Sequence, residues 1–236
     1  DFDGVVSGAL LLDREMVDDV VFASPNDMQA GRVPVSDKDI TANLPYNESV
    51  LLCFDHHLSE TERVGERDNL VIDPESPSSA RVIYNHFGGR EGFPMIPADL
   101  MKAVDQADSA NYTEDDILAP TGWTLINFVT DPRTGLSRFG HFQISNDQLM
   151  IDLMTYCRRH EPAEILEIPD VEDRVHLFQE HGEYAELQIR GNGSIDGKTV
   201  LVDLREEEKI YACNRFMVYA LFPECNLSIF ANPLEG

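Results

Sequence analysis

The sequence predicts an α/β protein, a mainly parallel sheet flanked by helices and followed by a second, smaller α/β domain. Three observations predict it. Val50-Leu51-Leu52-Cys53-Phe54 is an unbroken apolar run, the pattern of a strand covered on both faces. Helical patterns follow it, so strand and helix alternate. After Gly191-Asn192-Gly193 a new set of short strand and helix patterns begins. The expected division is residues 1–190 and residues 191–236, the latter being the start of a domain that continues further.

The elements follow in order. Asp1-Phe2-Asp3-Gly4 reads as a strand end and tight turn, and Val5 to Leu12 as the helix after it. Val20 to Ala23 is a short apolar run bounded by Ser24-Pro25-Asn26-Asp27, hence a strand. Residues 24–49 are rich in Pro, Asn, Asp and Ser and read mostly as loop. After the Val50–Phe54 strand, Val71-Ile72-Asp73 is a weaker strand pattern. Ser76-Pro77-Ser78-Ser79 supplies hydroxyl caps and an early proline for a helix ended by Gly88-Gly89. Pro97 to Ala107 is helical, with Leu100, Met101 and Val104 inward. Ser145 with Gln148 resembles a capping box, and Leu149, Met150, Leu153, Met154 and Cys157 continue at helical spacing. Val171 to Ile189 is a long charged helix leading out of the first domain. Thr199 to Leu204 reads as a strand, Ala212 to Phe222 as a helix and Leu227 to Ala231 as a strand.

At 236 residues the chain is long enough for two domains, and 42% hydrophobic content supports a sizeable core. No apolar run approaches the roughly 20 residues of a membrane span, and the opening residues carry no signal-peptide pattern. Cys53, Cys157, Cys213 and Cys225 form no Cys-x-x-Cys pair, so reduced thiols in a cytoplasmic protein are expected. The net charge of −25 repels long polyanions unless cations intervene. It solubilises most of the surface, and some of its carboxylates are candidates to hold metal.

Two sequence features concentrate chemistry. Asp1 and Asp3, two apart in what reads as extended backbone, point to the same side. Asp55-His56-His57 directly follows a buried strand, and open parallel sheets gather their ligands beyond the carboxyl ends of strands. Further aspartates stand at loops or helix ends: Asp27, Asp37, Asp39, Asp105 and Asp108. Carboxylates gathered together repel one another, and divalent cations remove that penalty. Mixed oxygen and imidazole ligands favour Mn²⁺, Co²⁺ or Zn²⁺ over Ca²⁺, with Mg²⁺ as an alternative. Two such ions about 4 Å apart can clamp an in-line phosphoryl displacement.

Asp1-Phe2-Asp3-Gly4-Val5-Val6-Ser7 resembles the first motif of the DHH phosphoesterases, and Asp55-His56-His57 matches the triplet that names that family. The superfamily includes single-strand exonucleases, oligoribonucleases that also act on pAp, cyclic-dinucleotide phosphodiesterases, exopolyphosphatases and family II pyrophosphatases. The resemblance implies that Asp1, Asp3 and His56 ligate metal. It implies that His57 contacts substrate phosphate and that Asp55 supports the histidines. It calls for a bridging aspartate before the triplet, for which Asp39 is chosen over Asp37 and Asp27. It also calls for a fourth aspartate, Asp108 in Asp108-Ser109-Ala110-Asn111-Tyr112, with Asp105 as its rival. Many relatives carry a histidine ahead of the first aspartate and a Gly-Gly-Gly-His-type stretch in a second domain. Neither lies within Asp1–Gly236, so the sequence is expected to be truncated at both ends.

The expectation is therefore a cytoplasmic hydrolase with two Mn²⁺ ions, Mg²⁺ or Co²⁺ being the alternatives. It would cut phosphate ester or anhydride bonds of a short oligonucleotide, nucleotide or short polyphosphate. No membrane and no long nucleic-acid tract are expected as partners, and a homodimer is left open. The alternatives are a single-strand exonuclease and a non-catalytic DHH-like scaffold. Arg133, in the turn-rich Asp131–Arg138 loop, is a weaker candidate for binding substrate phosphate, though surface ion pairing explains it and Arg138 as well. Arg81 is read as a salt-bridging residue and His141 as a surface or structural one.

Overall fold

The computed structural model describes residues 1–233. The elements run α1 (Phe2–Asp13), α2 (Pro25–Gln29), β1 (Ile40–Ala42), β2 (Leu52–Asp55), α3 (Leu58–Val64), β3 (Leu70–Ile72), α4 (Ser79–His86), α5 (Gly89–Gly92) and α6 (Ala98–Asp108). They continue with α7 (Glu114–Leu118), α8 (Gly122–Thr130), α9 (Asn146–Tyr156), α10 (Pro162–Leu166), α11 (Pro169–Asn192), β4 (Gly193–Asp196), β5 (Thr199–Asp203), α12 (Met217–Leu221) and β6 (Leu227–Ala231). Cα packing divides the chain into two compact units, one comprising Asp1–Asn111 and Ser145–Pro162, the other Tyr112–Ile144 and the residues from Ala163 on.

The first unit is built on the parallel sheet β1-β2-β3. Residues alternate between its faces. Phe54 enters one of them, fully buried, with its ring edge-on to His86 of α4 at 5.4 Å. Cys53 enters the other and packs with Met28 and Val50. Helix α1 packs against α4, α6 and α9 through Val5, Val6, Ala9 and Leu10. Gly8 has a steric reason inside this apolar helix: a Cβ there would stand 2.5 Å from Met154 Sδ on α9. Ser78 and Ser145 cap α4 and α9, accepting from the amides of Arg81 and Gln148.

The second unit holds the sheet β4-β5-β6, antiparallel between β4 and β5 and parallel between β5 and β6. Its core joins Ala185 and Ile189 of α11 to Val200 and Val202 of β5 and to Val218 and Leu221 of α12. Residue 190, where the sequence placed the domain boundary, falls inside the 24-residue helix α11. That helix packs on β5 and α12, and residues 112–144 also belong to this unit.

Several expectations are corrected. Phe2 begins a helix, where a strand end was expected, so Asp1 is the helix N-cap and Asp3 lies in the first turn. Val20–Ala23 is not a strand; Val21 is exposed and no strand of the described sheet pairs with it. β1 was read as loop, because three residues are too few to show a period. The new set of strands begins at Gly193 itself with β4, and the Ala212–Phe222 helix contracts to Met217–Leu221. Among the described residues no helix is long and apolar enough to cross a membrane. All four cysteines are free thiols.

Truncating Phe54 leaves a cavity between β2 and α4. Phe54→Ala should cost about 3–5 kcal/mol, read as a lowered urea midpoint at unchanged slope.

Candidate metal centre

Asp3, His56 and Asp108 converge, although they lie far apart along the chain. One ligand atom from each lies within 4.8 Å of the others. Asp3 comes from the first turn of α1, His56 follows β2 directly, and Asp108 is the last residue of α6.

The Asp3 side chain is buried, at 2% exposure. Its two oxygens accept from the first amides of α4, Oδ2 from Ser79 N at 2.9 Å and Oδ1 from Ala80 N at 2.8 Å. A helix N-terminus suits a carboxylate, since its amides have no partner within the helix. Burial and the neighbouring Asp108 nevertheless push Asp3 up to about 6, against the lowering effect of those amides and of His56.

The His56 ring is fixed by the main chain. Its Nδ1 lies 3.2 Å from the carbonyl oxygen of Ser76. A carbonyl only accepts, so Nδ1 carries the proton and Nε2 is left to face the carboxylates. Asp108 Oδ2 stands 2.9 Å from Nε2. The pair is at ion-pair distance, and no other described group forms a hydrogen bond with the buried Nε2. Burial is the largest influence on His56 and opposes its protonation. The Asp108 and Asp3 carboxylates outweigh burial, and the net shift is upward. Without metal, the surroundings therefore favour the protonated forms of Asp3 and His56.

Asp55 is buried at 1% exposure. Its Oδ1 accepts from His57 Nδ1 at 2.7 Å and from the His56 amide at 2.9 Å. One carboxylate oxygen thus holds the His57 ring and the His56 main chain. His57 is about half exposed, and its pKa is raised chiefly by the hydrogen bond it donates to Asp55.

The donor set fits a divalent cation. It offers two carboxylates, an imidazole whose buried Nε2 has no partner beyond Asp108 among the described residues, and an acid whose ionisation the protein opposes until positive charge arrives. Mixed oxygen and nitrogen donors of this kind suit Mn²⁺, Co²⁺, Zn²⁺ or Mg²⁺.

No protein-family model matches the chain, and no curated protein does. A solved structure does: the pGpG-specific phosphodiesterase PggH from Vibrio cholerae is 46% identical, with a TM-score of 0.89 over 98% of this chain and 75% of its own. The chain belongs to the family of that phosphodiesterase.

Against this family background the remaining candidates separate cleanly. Asp1 is exposed and caps α1 by accepting from Gly4 N at 3.0 Å. In a helix, residues two apart lie on nearly opposite sides, so the shared face expected for Asp1 and Asp3 does not form. Asp39 is not brought into the cluster. It precedes β1, level with Leu51, whose amide donates to its carbonyl, and so lies at the sheet edge opposite Asp55. Four residues of strand separate the two levels, roughly 13 Å. Its carboxylate accepts from Ser36 N and Oγ. Asp27 pairs with Arg32, and Asp37 is exposed. Asp105 is held by Arg81 and by Ser78 Oγ, which leaves Asp108 as the clustered member of that pair. Arg133 pairs with Asp131 in the second unit, and His141 is exposed. The backbone groups that orient the site, Ser76 O, Ser79 N and Ala80 N, escaped the sequence reading. Their only signal was the Ser-Pro-Ser-Ser start of α4.

An acid raised in the folded state stabilises that state at low pH, and the contribution is lost as pH rises through its folded pKa. In chelator, wild type should therefore lose stability between pH 4 and about 6 relative to Asp3→Asn, whose own curve is offset but lacks this slope. The offset arises because the Asn amide group must face one of the two α4 amides. The rise in melting temperature on adding Mn²⁺ should be larger at pH 8 than at pH 5, because protons compete for the same atoms. Equal slopes for the two proteins would remove Asp3 from this role.

Proposed function

We propose that the chain is a Mn²⁺-dependent phosphodiesterase of the DHH type that hydrolyses a short phosphorylated substrate, with the linear dinucleotide pGpG as first candidate. The observation that carries the proposal is 46% identity along nearly the whole chain to a pGpG-specific phosphodiesterase. The Asp3–His56–Asp108 cluster supplies the chemistry such an enzyme needs.

Asp3, His56 and Asp108 would hold the cation, with Mg²⁺ or Co²⁺ as substitutes for Mn²⁺. When bound, it supplies positive charge to the phosphoryl oxygens and lowers the pKa of the attacking water. The pair of ions suggested by the DHH resemblance would draw further ligands from outside this cluster. The chain's own residues do the rest. Asp55 accepts from Nδ1–H of His57 and favours the protonated ring, whose Nε2–H faces solvent. That proton is available to a phosphate oxygen, first as a hydrogen bond and then as general acid to the departing oxygen. Asp3, whose ionisation burial and Asp108 oppose, would be held as the carboxylate by the cation, with two α4 amides on its oxygens.

The net charge of −25 favours a short substrate over a long strand, whose many phosphates it would repel. Retention of Asp3, His56 and Asp108 in contact distance favours an enzyme over a scaffold.

Chromatography of GMP released from pGpG with Mn²⁺ present tests the reading, with pAp, polyphosphate and a ten-nucleotide strand as competitors. pGpG should be cut fastest. His56→Ala and Asp3→Ala should each lose more than about 100-fold in kcat/KM, and His57→Ala about 100-fold with Mn²⁺ affinity unchanged. Failure to hydrolyse any of these compounds, or full activity in His56→Ala, would overturn the proposal.

A further inference from the structure

His56 offers Nε2 to the cluster only while its other nitrogen keeps the proton, and that depends on where the Ser76 carbonyl points. The carbonyl belongs to a four-residue turn, Asp73-Pro74-Glu75-Ser76, that leaves the end of β3. Asp73 holds every closing bond of this turn. Its carbonyl accepts from Ser76 N at 3.0 Å. Its carboxylate accepts from Ser76 Oγ at 2.7 Å and from Glu75 N at 3.1 Å. Its own amide donates to Asp55 O at 3.3 Å, which extends the β2–β3 ladder and ties the turn to the strand that carries the histidines. Ser76 is buried, and this clamp holds the backbone whose carbonyl faces His56.

We propose that Asp73 is a positioning residue for the metal centre: by clamping Ser76 it fixes His56 in the Nδ1–H tautomer, with Nε2 as the ligand. This rests on the reading of His56 as a metal ligand. Asp73 itself is not among the clustered ligands. A partner that orients a ligating histidine through its second nitrogen typically governs metal affinity by 10–100-fold.

The test is two-bond ¹H–¹⁵N spectroscopy of the histidine rings in metal-free protein at a pH where they are neutral, alongside Mn²⁺ titration. His56→Gln identifies the His56 signals. In wild type, His56 should show the Nδ1–H pattern. Asp73→Ala should shift its population toward Nε2–H and weaken Mn²⁺ binding by about 10-fold or more, while His57 keeps its pattern. Asp73→Asn, which retains one acceptor oxygen, should restore most of both. Ser76→Ala, which removes the hydroxyl but keeps the carbonyl, should give a smaller shift in the same direction and serves if Asp73→Ala does not fold. An unchanged His56 tautomer with unchanged Mn²⁺ affinity in Asp73→Ala, or in Ser76→Ala where Asp73→Ala does not fold, overturns the proposal. If His56→Gln itself binds Mn²⁺ normally, the ligand reading fails instead, and the tautomer data still report on the clamp.

Discussion

The site depends on one buried carboxylate. Asp3 lies where no solvent reaches it, and each of its oxygens is held by a backbone amide at the start of α4. That grip links the first turn of α1 to the first turn of α4. α4 is linked in turn to the sheet, because Ser79 Oγ donates to Phe54 O and accepts from Asn43 N. A buried acid so constrained cannot turn away to find water. It takes a proton, or it waits for a cation, and the protein supplies both the imidazole and the second carboxylate that make the cation the better answer.

The histidines show the same economy of means. A single oxygen of Asp55 holds the His57 ring and the His56 amide, yet the two rings end in different environments. His56 is drawn inward toward Asp3 and Asp108, and His57 is left half exposed with its distal nitrogen outward. Adjacent residues at a strand end naturally diverge, since the backbone sends successive side chains to opposite sides. One ring thereby faces the two clustered carboxylates and the other faces solvent. Membership of a phosphodiesterase family gives this division a chemical purpose.

Much of this was legible in the sequence where the signal was local. The apolar run before Asp55-His56-His57 announced a buried parallel strand, and β2 is one. Ser78, Ser145 and the periodic residues after them marked α4 and α9. Errors arose where identity depends on geometry that spacing does not encode. Asp39 looked suitable because it precedes the triplet, but strand direction puts it at the wrong edge of the sheet. Asp1 and Asp3 looked equivalent until the backbone proved helical and sent only Asp3 inward. Asp105 and Asp108, one helical turn apart, differ because Arg81 occupies the first and nothing basic but His56 reaches the second. The residues 112–144 gave no clear pattern, since α7 and α8 are short and draw their burial from the second unit's core.

The central claim is that Asp3, His56 and Asp108 form one cation site. Crystals grown with Mn²⁺ and measured at the manganese absorption edge test it most directly. The account predicts an anomalous peak about 2.0–2.3 Å from an oxygen of Asp3, Nε2 of His56 and an oxygen of Asp108. Manganese peaks found only elsewhere, with those three side chains bound to one another or to water, would contradict it.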